Sequence, residues 1–149
     1  MISGERSEEL DAGPEEVWAV IGDVAAYPQW MSLVRQAEIR ETDAHGRPVL
    51  VESVNDAKVK TIRVLLRYAY DDGRAVSWHS ESGDVRALDG ILEISGAGEG
   101  RSRVTYRLSV DPGRRLGLLL RGPIVDQVRD RVLGGTLADL RARVEGARS

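Results

Sequence analysis

The chain has 149 residues, a formal net charge of −3, no Cys and no Phe. Without Cys there are no disulfides, thiolate metal sites, iron–sulfur clusters or Cys nucleophiles, and two histidines, His45 and His79, cannot build a multi-histidine centre. The mild acidic balance gives no electrostatic basis for nucleic-acid binding.

The length predicts one domain over 1–149, large enough to bury roughly 70% of its unfolded surface. Residues 1–5 contain no apolar run of the kind a secretory signal needs. The longest apolar stretch, 116–125, is interrupted by Arg121, so stable membrane insertion is not expected. A cytoplasmic protein is the resulting expectation.

Residues from about 5 to 11 form a weak strand candidate. Gly13-Pro14-Glu15-Glu16 then opens a helix. Pro14 suits the first helical position because its missing N–H costs nothing there. Glu15 and Glu16 sit well at the positive helix end. Val17, Val20 and Ile21 supply an apolar face, and Gly22 can end it. Asp23 caps a second short helix, which Pro28 is expected to end near Tyr27.

From about Val34 to Asp111 the pattern changes to strands separated by turn signals, such as His45-Gly46-Arg47-Pro48 and Asp71-Asp72-Gly73. Two runs alternate with period two. Ile62, Val64, Leu66, Tyr68 and Tyr70 share one face, as do Val104, Tyr106, Leu108 and Val110. Such alternation predicts an antiparallel sheet solvated on one side. The same parity sets Trp78 with the apolar face and His79 opposite. Gly90 raises the question of a bulge; without one, Leu88, Leu92 and Ile94 share a face. Residues 116–120 are apolar and irregular, readable as a cavity lid or as packing on the sheet edge. From Pro123 to about Val144 a stripe of Ile124, Val128, Val132, Leu133, Leu137, Leu140 and Val144 predicts one long amphipathic helix.

An antiparallel sheet with one apolar face needs a cover, and only the last helix is long enough. The expected fold is α+β: a curved antiparallel sheet of about 6–7 strands around a long C-terminal helix, with two short helices after the first strand. A helix seldom sits flush on a curved sheet, so a cavity between them is expected.

Pro14-Glu15-Glu16-Val17-Trp18, Asp23 and Tyr27-Pro28-x-Trp30 resemble the opening signature of the SRPBCC superfamily, the START-like helix-grip proteins. The later Gly90-x-Leu92-x-Ile94, Val104-Thr105-Tyr106 and the long terminal helix follow in the same order, and the nearest branch is polyketide cyclase/dehydrase-like. The resemblance implies a deep apolar cavity for lipids, polyketides or similar molecules, in proteins that act as cyclases, carriers or regulators. The charged run Glu5-Arg6-Ser7-Glu8-Glu9 departs from the family pattern and suggests a short or edge-placed first strand.

Candidate ligand-binding residues are Val64, Leu66, Tyr68, Tyr70, Trp78, Leu92 and Tyr106 from the sheet, Val128, Val132 and Gly135 from the helix, and Trp30. Tyr68, Tyr70 and Trp78 bring polar tips that need partners when buried. Gly134-Gly135 in the long helix either leaves room for a ligand or marks a break. Tyr68 and His79 are the catalytic candidates, with Asp89 and Glu52 as further acids, but no convincing acid–base pair emerges. Gly96-x-Gly98-x-Gly100 is a hairpin loop, because a strand and no helix follows it. No cofactor and no metal are expected. Three functions stay open: binding of a hydrophobic small molecule, a cofactor-independent cyclase or dehydratase, and a regulatory module with a protein partner or a second copy.

Overall fold

The computed structural model describes residues 2–56, 60–119 and 122–146. Its strands are β1 (Ile2–Leu10), β2 (Val34–Thr42), β3 (Pro48–Asp56), β4 (Thr61–Asp71), β5 (Ala75–Gly83), β6 (Ala87–Gly96) and β7 (Ser102–Asp111). Its helices are α1 (Pro14–Ile21), α2 (Tyr27–Trp30), α3 (Gly113–Leu119) and α4 (Pro123–Gly146). The strands form one curved antiparallel sheet in the order β1-β7-β6-β5-β4-β3-β2, which α4 crosses on its inner face. This is the helix-grip arrangement expected from the sequence.

Period-two patterning builds the sheet as predicted. On β4, Val64, Leu66 and Tyr68 are buried, whereas Arg63 and Ala69 are exposed. On β7, Val104 and Tyr106 are buried between exposed Arg103 and Arg107. The outer face carries ion pairs, including Arg40–Glu52 at 2.7 Å and Arg63–Glu52 at 2.6 Å. Solvent-exposed pairs of this kind are strongly screened and contribute little, so the inner face carries the stability.

Gly90 marks no bulge. The β6–β7 register runs unbroken from Ala87↔Asp111 to Gly96↔Ser102. Instead, Gly90 lies opposite Trp78, and a Cβ on it would stand 2.5 Å from Trp78 Cζ2 and 2.6 Å from Nε1. The glycine lets the indole lie flat across β6 and reach Tyr106 on β7, with ring centroids 5.9 Å apart.

Three local expectations are corrected. β1 starts at Ile2 and pairs with β7 along its whole length, from Ile2↔Val110 to Leu10↔Ser102. It is an edge strand but not a short one, because an edge leaves its charged side chains in water. The short helix after Asp23 forms as expected, as a 3-10 turn over Val24–Ala26 without a side-chain cap bond, but Pro28 does not stop the helical run. It sits in the first turn of α2, where a missing N–H is tolerated, and Tyr27 is held helical by its buried ring and by its hydroxyl, which donates to Ile21 O at 2.5 Å. Residues 113–119 form α3 where irregular chain was expected. Leu120, Arg121 and the side chains of Leu116 and Leu119 lie outside the described residues. Leu118 is exposed.

α4 is continuous through Gly134-Gly135. A Cβ at Gly134 would collide with the Arg6 guanidinium, and one at Gly4 would stand 2.8 Å from both Arg129 Cδ and Leu133 Cδ1. These two glycines allow α4 and β1 to approach closely. The helix is seated through its second half, where Leu133, Leu137, Leu140 and Val144 are buried. Polar pins reinforce that half. Asp139 accepts from Ser32 N and Oγ at 2.8 and 2.7 Å. Arg141 donates to Glu9 O at 2.6 Å and to Glu8 at 2.9 Å, and Arg143 donates to Gln29 at 3.1 Å.

Valine is ordinarily favoured over glycine in a strand. Gly90→Val is nevertheless expected to destabilise the protein by about 1–3 kcal/mol, because the indole cannot retreat from a new Cβ. Urea unfolding monitored by circular dichroism checks this; an unchanged or raised midpoint would refute the close-approach role.

Candidate functional site

The first half of α4 is held differently from the second. Ile124 is 42% exposed, and Val128 and Val132 are half-buried. Beneath this half lies a cavity of about 120 Å³. Leu66, Tyr68, Trp78 and Tyr106 form its floor, and Val128 and Val132 its roof. Met31, Leu33 and Val34 close one side, and Val110 and Pro112 the other.

The floor is an aromatic chain. Trp30 meets Tyr27 edge-on with centroids 5.5 Å apart, and Tyr27 meets Tyr68 edge-on at 6.4 Å. Tyr68 lies 5.8 Å from Trp78, which continues to Tyr106. Edge-on and tilted ring pairs are the favoured geometries, so the chain fixes the positions of its members.

The hydroxyls divide into two groups. Tyr27 donates to Ile21 O and Tyr70 to Pro48 O, each at 2.5 Å. Tyr68 and Tyr106 have no hydrogen-bond partner among the described residues. Burial pushes the Tyr27, Tyr68 and Tyr106 phenols well above their ordinary value, so they stay neutral. Burial also pushes Tyr70 up to about 12, with the Arg47 guanidinium over its ring opposing the rise. At one end of the cavity Ser53 Oγ donates to Asn55 Oδ1 at 3.1 Å. No Asp, Glu or His lines the cavity among the described residues. No group of residues suited to holding a metal ion occurs among them either.

Of the predicted ligand residues, Leu66, Tyr68, Trp78, Tyr106, Val128 and Val132 come together around this space. Val64, Leu92, Tyr70, Trp30 and Gly135 do not line it. Val64 and Leu92 share the inward face but are completely buried in the core, because parity fixes the face of a strand and not where the helix stands off. Tyr70 sits at the strand end, tied to Pro48. Trp30 braces Tyr27 from behind, its Nε1 buried without a partner among the described residues. Gly135 lines a second depression, beside the first, that is also bounded by Ser32, Asp56 and Asp139. His79 is exposed on the outer face opposite Asp89, so neither residue belongs to the cavity. Glu52 also lies outside it, and hydrogen bonds from Arg63 and Arg40 hold its carboxyl below the usual range.

Sequence reasoning passed over Tyr27, Met31, Leu33 and Asn55. The Tyr27-Pro28-x-Trp30 motif was a usable signal, but it pointed to its tryptophan, whereas its tyrosine lines the cavity.

The sequence matches the family described as polyketide cyclase / dehydrase and lipid transport over residues 1–145. Comparison with curated proteins finds no match. Among solved structures, a START superfamily protein from Mycobacterium smegmatis is similar with a TM-score of 0.85 at 19% identity, covering 97% of this chain and 98% of that one. A protein from Thermus thermophilus gives a TM-score of 0.84 at 22% identity, covering 99% of both chains. The Zhui aromatase/cyclase from a Streptomyces species gives 0.69 at 20% identity, covering 98% of this chain and 93% of that one. At such identities the structural likeness is one of fold. The family match spans nearly the whole chain, and the protein belongs to the polyketide cyclase/dehydrase and lipid transport family.

Proposed function

We propose that this protein binds an apolar small molecule in the cavity beneath the first half of α4. The observation that carries the reading is the aromatic floor with two uncommitted hydroxyls, Tyr68 and Tyr106, facing a roof that is only half-buried. A packed core would cover Val128 and Val132 and pair both phenols. Here two neutral donors stand in an apolar space, which is the composition of a small-molecule site: mostly apolar walls and a few polar groups that fix orientation.

The size of the space sets the ligand. A cavity of about 120 Å³ is of the order of an apolar cavity that takes benzene, roughly 150 Å³. One aromatic ring fits as the helix stands, and a larger ligand requires the first half of α4 to lift. Burying about 250 Å² of ligand surface supplies about 6 kcal/mol before association costs.

An acid–base enzyme would need a proton acceptor within about 3 Å of the reacting atoms. The lining described above supplies none, and its phenols resist ionisation. Binding is therefore the reading the lining supports over turnover.

Calorimetric titration with 4-phenyl-1-butanol is expected to show saturable binding. Val132→Trp, which fills the space from the roof, is expected to weaken it at least tenfold with an unchanged circular dichroism spectrum. Val128→Trp serves as the second variant. Absence of binding to the unsubstituted protein, or full binding to both variants, would overturn the reading.

The phenols give a separate check. In the unfolded chain they ionise near pH 10. In the folded chain ionisation is displaced upward, so the stabilisation is complete below pH 10 and is lost as pH rises through the folded values. Each phenol then contributes a loss of about 1.4 kcal/mol per pH unit. Absorbance at 295 nm should show at pH 11 no more than the small fraction of tyrosinate that Tyr70 supplies while the protein stays folded; ionisation of two or more phenols near pH 10 in folded protein would contradict the buried, neutral assignment.

A further inference from the structure

Three large apolar side chains are exposed among the described residues: Ile39, Leu118 and Ile124. Leu118, at 62%, is the most exposed of them, and Ile124 lies on the same connection, where α3 gives way to α4. The stretch from Pro112 to Val125 that holds both is unusual in composition. Its only polar side chains are those of Arg114, Arg115 and Arg121; the rest are Leu, Ile, Val, Pro and Gly, and there is no acid. Solvated connections ordinarily carry Asp, Asn and Ser.

The arrangement on α3 is specific. Arg114 and Arg115 precede Leu118 at helical spacing, which puts all three on one face, and all three are exposed. Neither arginine has a carboxylate partner among the described residues. Arg86 flanks the start of α3, where a Cβ on Gly113 would stand 3.6 Å from Arg86 Cβ, and it lines one depression with Arg114 and Arg115. Two acids lie close by. Asp84 lines the same depression and accepts from Arg63 N at 2.9 Å, and Asp111 stands 3.8 Å from Arg86. Even with both counted at full charge, three guanidinium groups face two carboxylates, in a chain whose net charge is −3.

We propose that α3 docks on an anionic lipid bilayer, with Leu118 entering the acyl boundary and Arg86, Arg114 and Arg115 meeting headgroup phosphates. Guanidinium groups bind phosphate through paired N–H donors while their stems lie against apolar neighbours. An apolar side chain flanked by arginines on one helix face is the pattern of an interfacial anchor. This face offers no uncharged hydrogen-bonding side chain of the kind that specifies a protein partner, and a lipid surface asks for none. With 7 residues in α3, the attachment is weak and reversible. Val85 and Pro112 line both this depression and the aromatic cavity, so docking brings that end of the cavity to the lipid. The proposal does not depend on what the cavity holds.

Co-sedimentation of the full chain with vesicles tests it. A negatively charged protein without a local basic patch is not drawn to anionic vesicles, so the chain as a whole supplies no background attraction. Phosphatidylcholine vesicles with about 30 mol% phosphatidylglycerol are expected to bind the protein at least fivefold better than phosphatidylcholine alone, and about 0.5 M NaCl should remove the difference. Each arginine near an anionic surface is worth about a fivefold factor, so Arg114→Gln combined with Arg115→Gln should weaken binding at least tenfold, and lysine at both positions should restore it. Leu118→Ser should weaken binding severalfold with an unchanged circular dichroism spectrum. Arg74→Gln, in the turn between β4 and β5, should leave it within twofold. No preference for the anionic vesicles, or undiminished binding by Leu118→Ser, would overturn the proposal. So would a dimer in sedimentation equilibrium that Leu118→Ser dissolves, formed by a chain that binds no vesicles.

Discussion

The seating of α4 through only its second half is the constraint on which the rest of the molecule depends. Leu133, Leu137, Leu140 and Val144 enter the core there, and Asp139, Arg141 and Arg143 tie the same turns to α2, β1 and the connection between α2 and β2. Gly4 and Gly134 let the helix and the edge strand come close enough for that seating. Ahead of Leu133 the buried stripe stops, while the helix continues unbroken back to Pro123. A rigid rod held at one end over a curved surface must stand off at the other, and the cavity is the gap so formed.

The floor of that gap is shaped by a second, smaller constraint. Gly90 removes the side chain that would otherwise lift Trp78, and the indole bridges Tyr68 to Tyr106. With no Phe in the chain, aromatic bulk is available only with a polar tip attached. Two of these tips are spent on backbone carbonyls, at Tyr27 and Tyr70. Those of Tyr68 and Tyr106 face an apolar space in which burial keeps them neutral, and that is what turns a packing defect into a surface able to orient a ligand.

Much of the fold was legible because its signals are periodic. Alternation on β4 and β7 sorted inward from outward residues correctly, and it placed His79 outside. The spacing of Leu133, Leu137, Leu140 and Val144 pointed to the long helix. Parity cannot, however, say how far along a strand the helix touches, so Val64 and Leu92 were grouped with true cavity residues although they are core. The Gly134-Gly135 pair was singled out, but sequence could not separate one glycine packed against Arg6 from its neighbour facing open space. Tyr27 was hidden by Pro28, whose usual effect is to stop a helix and which here occupies a first turn. Leu33 and Asn55 lie at element ends, where no periodicity operates.

The central claim is that one half of α4 is anchored and the other roofs a binding cavity. Amide hydrogen exchange along α4, with and without saturating 4-phenyl-1-butanol, tests it most directly, because local opening follows local packing. The account predicts slow exchange over residues 133–144 in both states, and faster exchange over 124–132 that slows on binding. Uniform protection along the helix, or slowing confined to the second half, would contradict it.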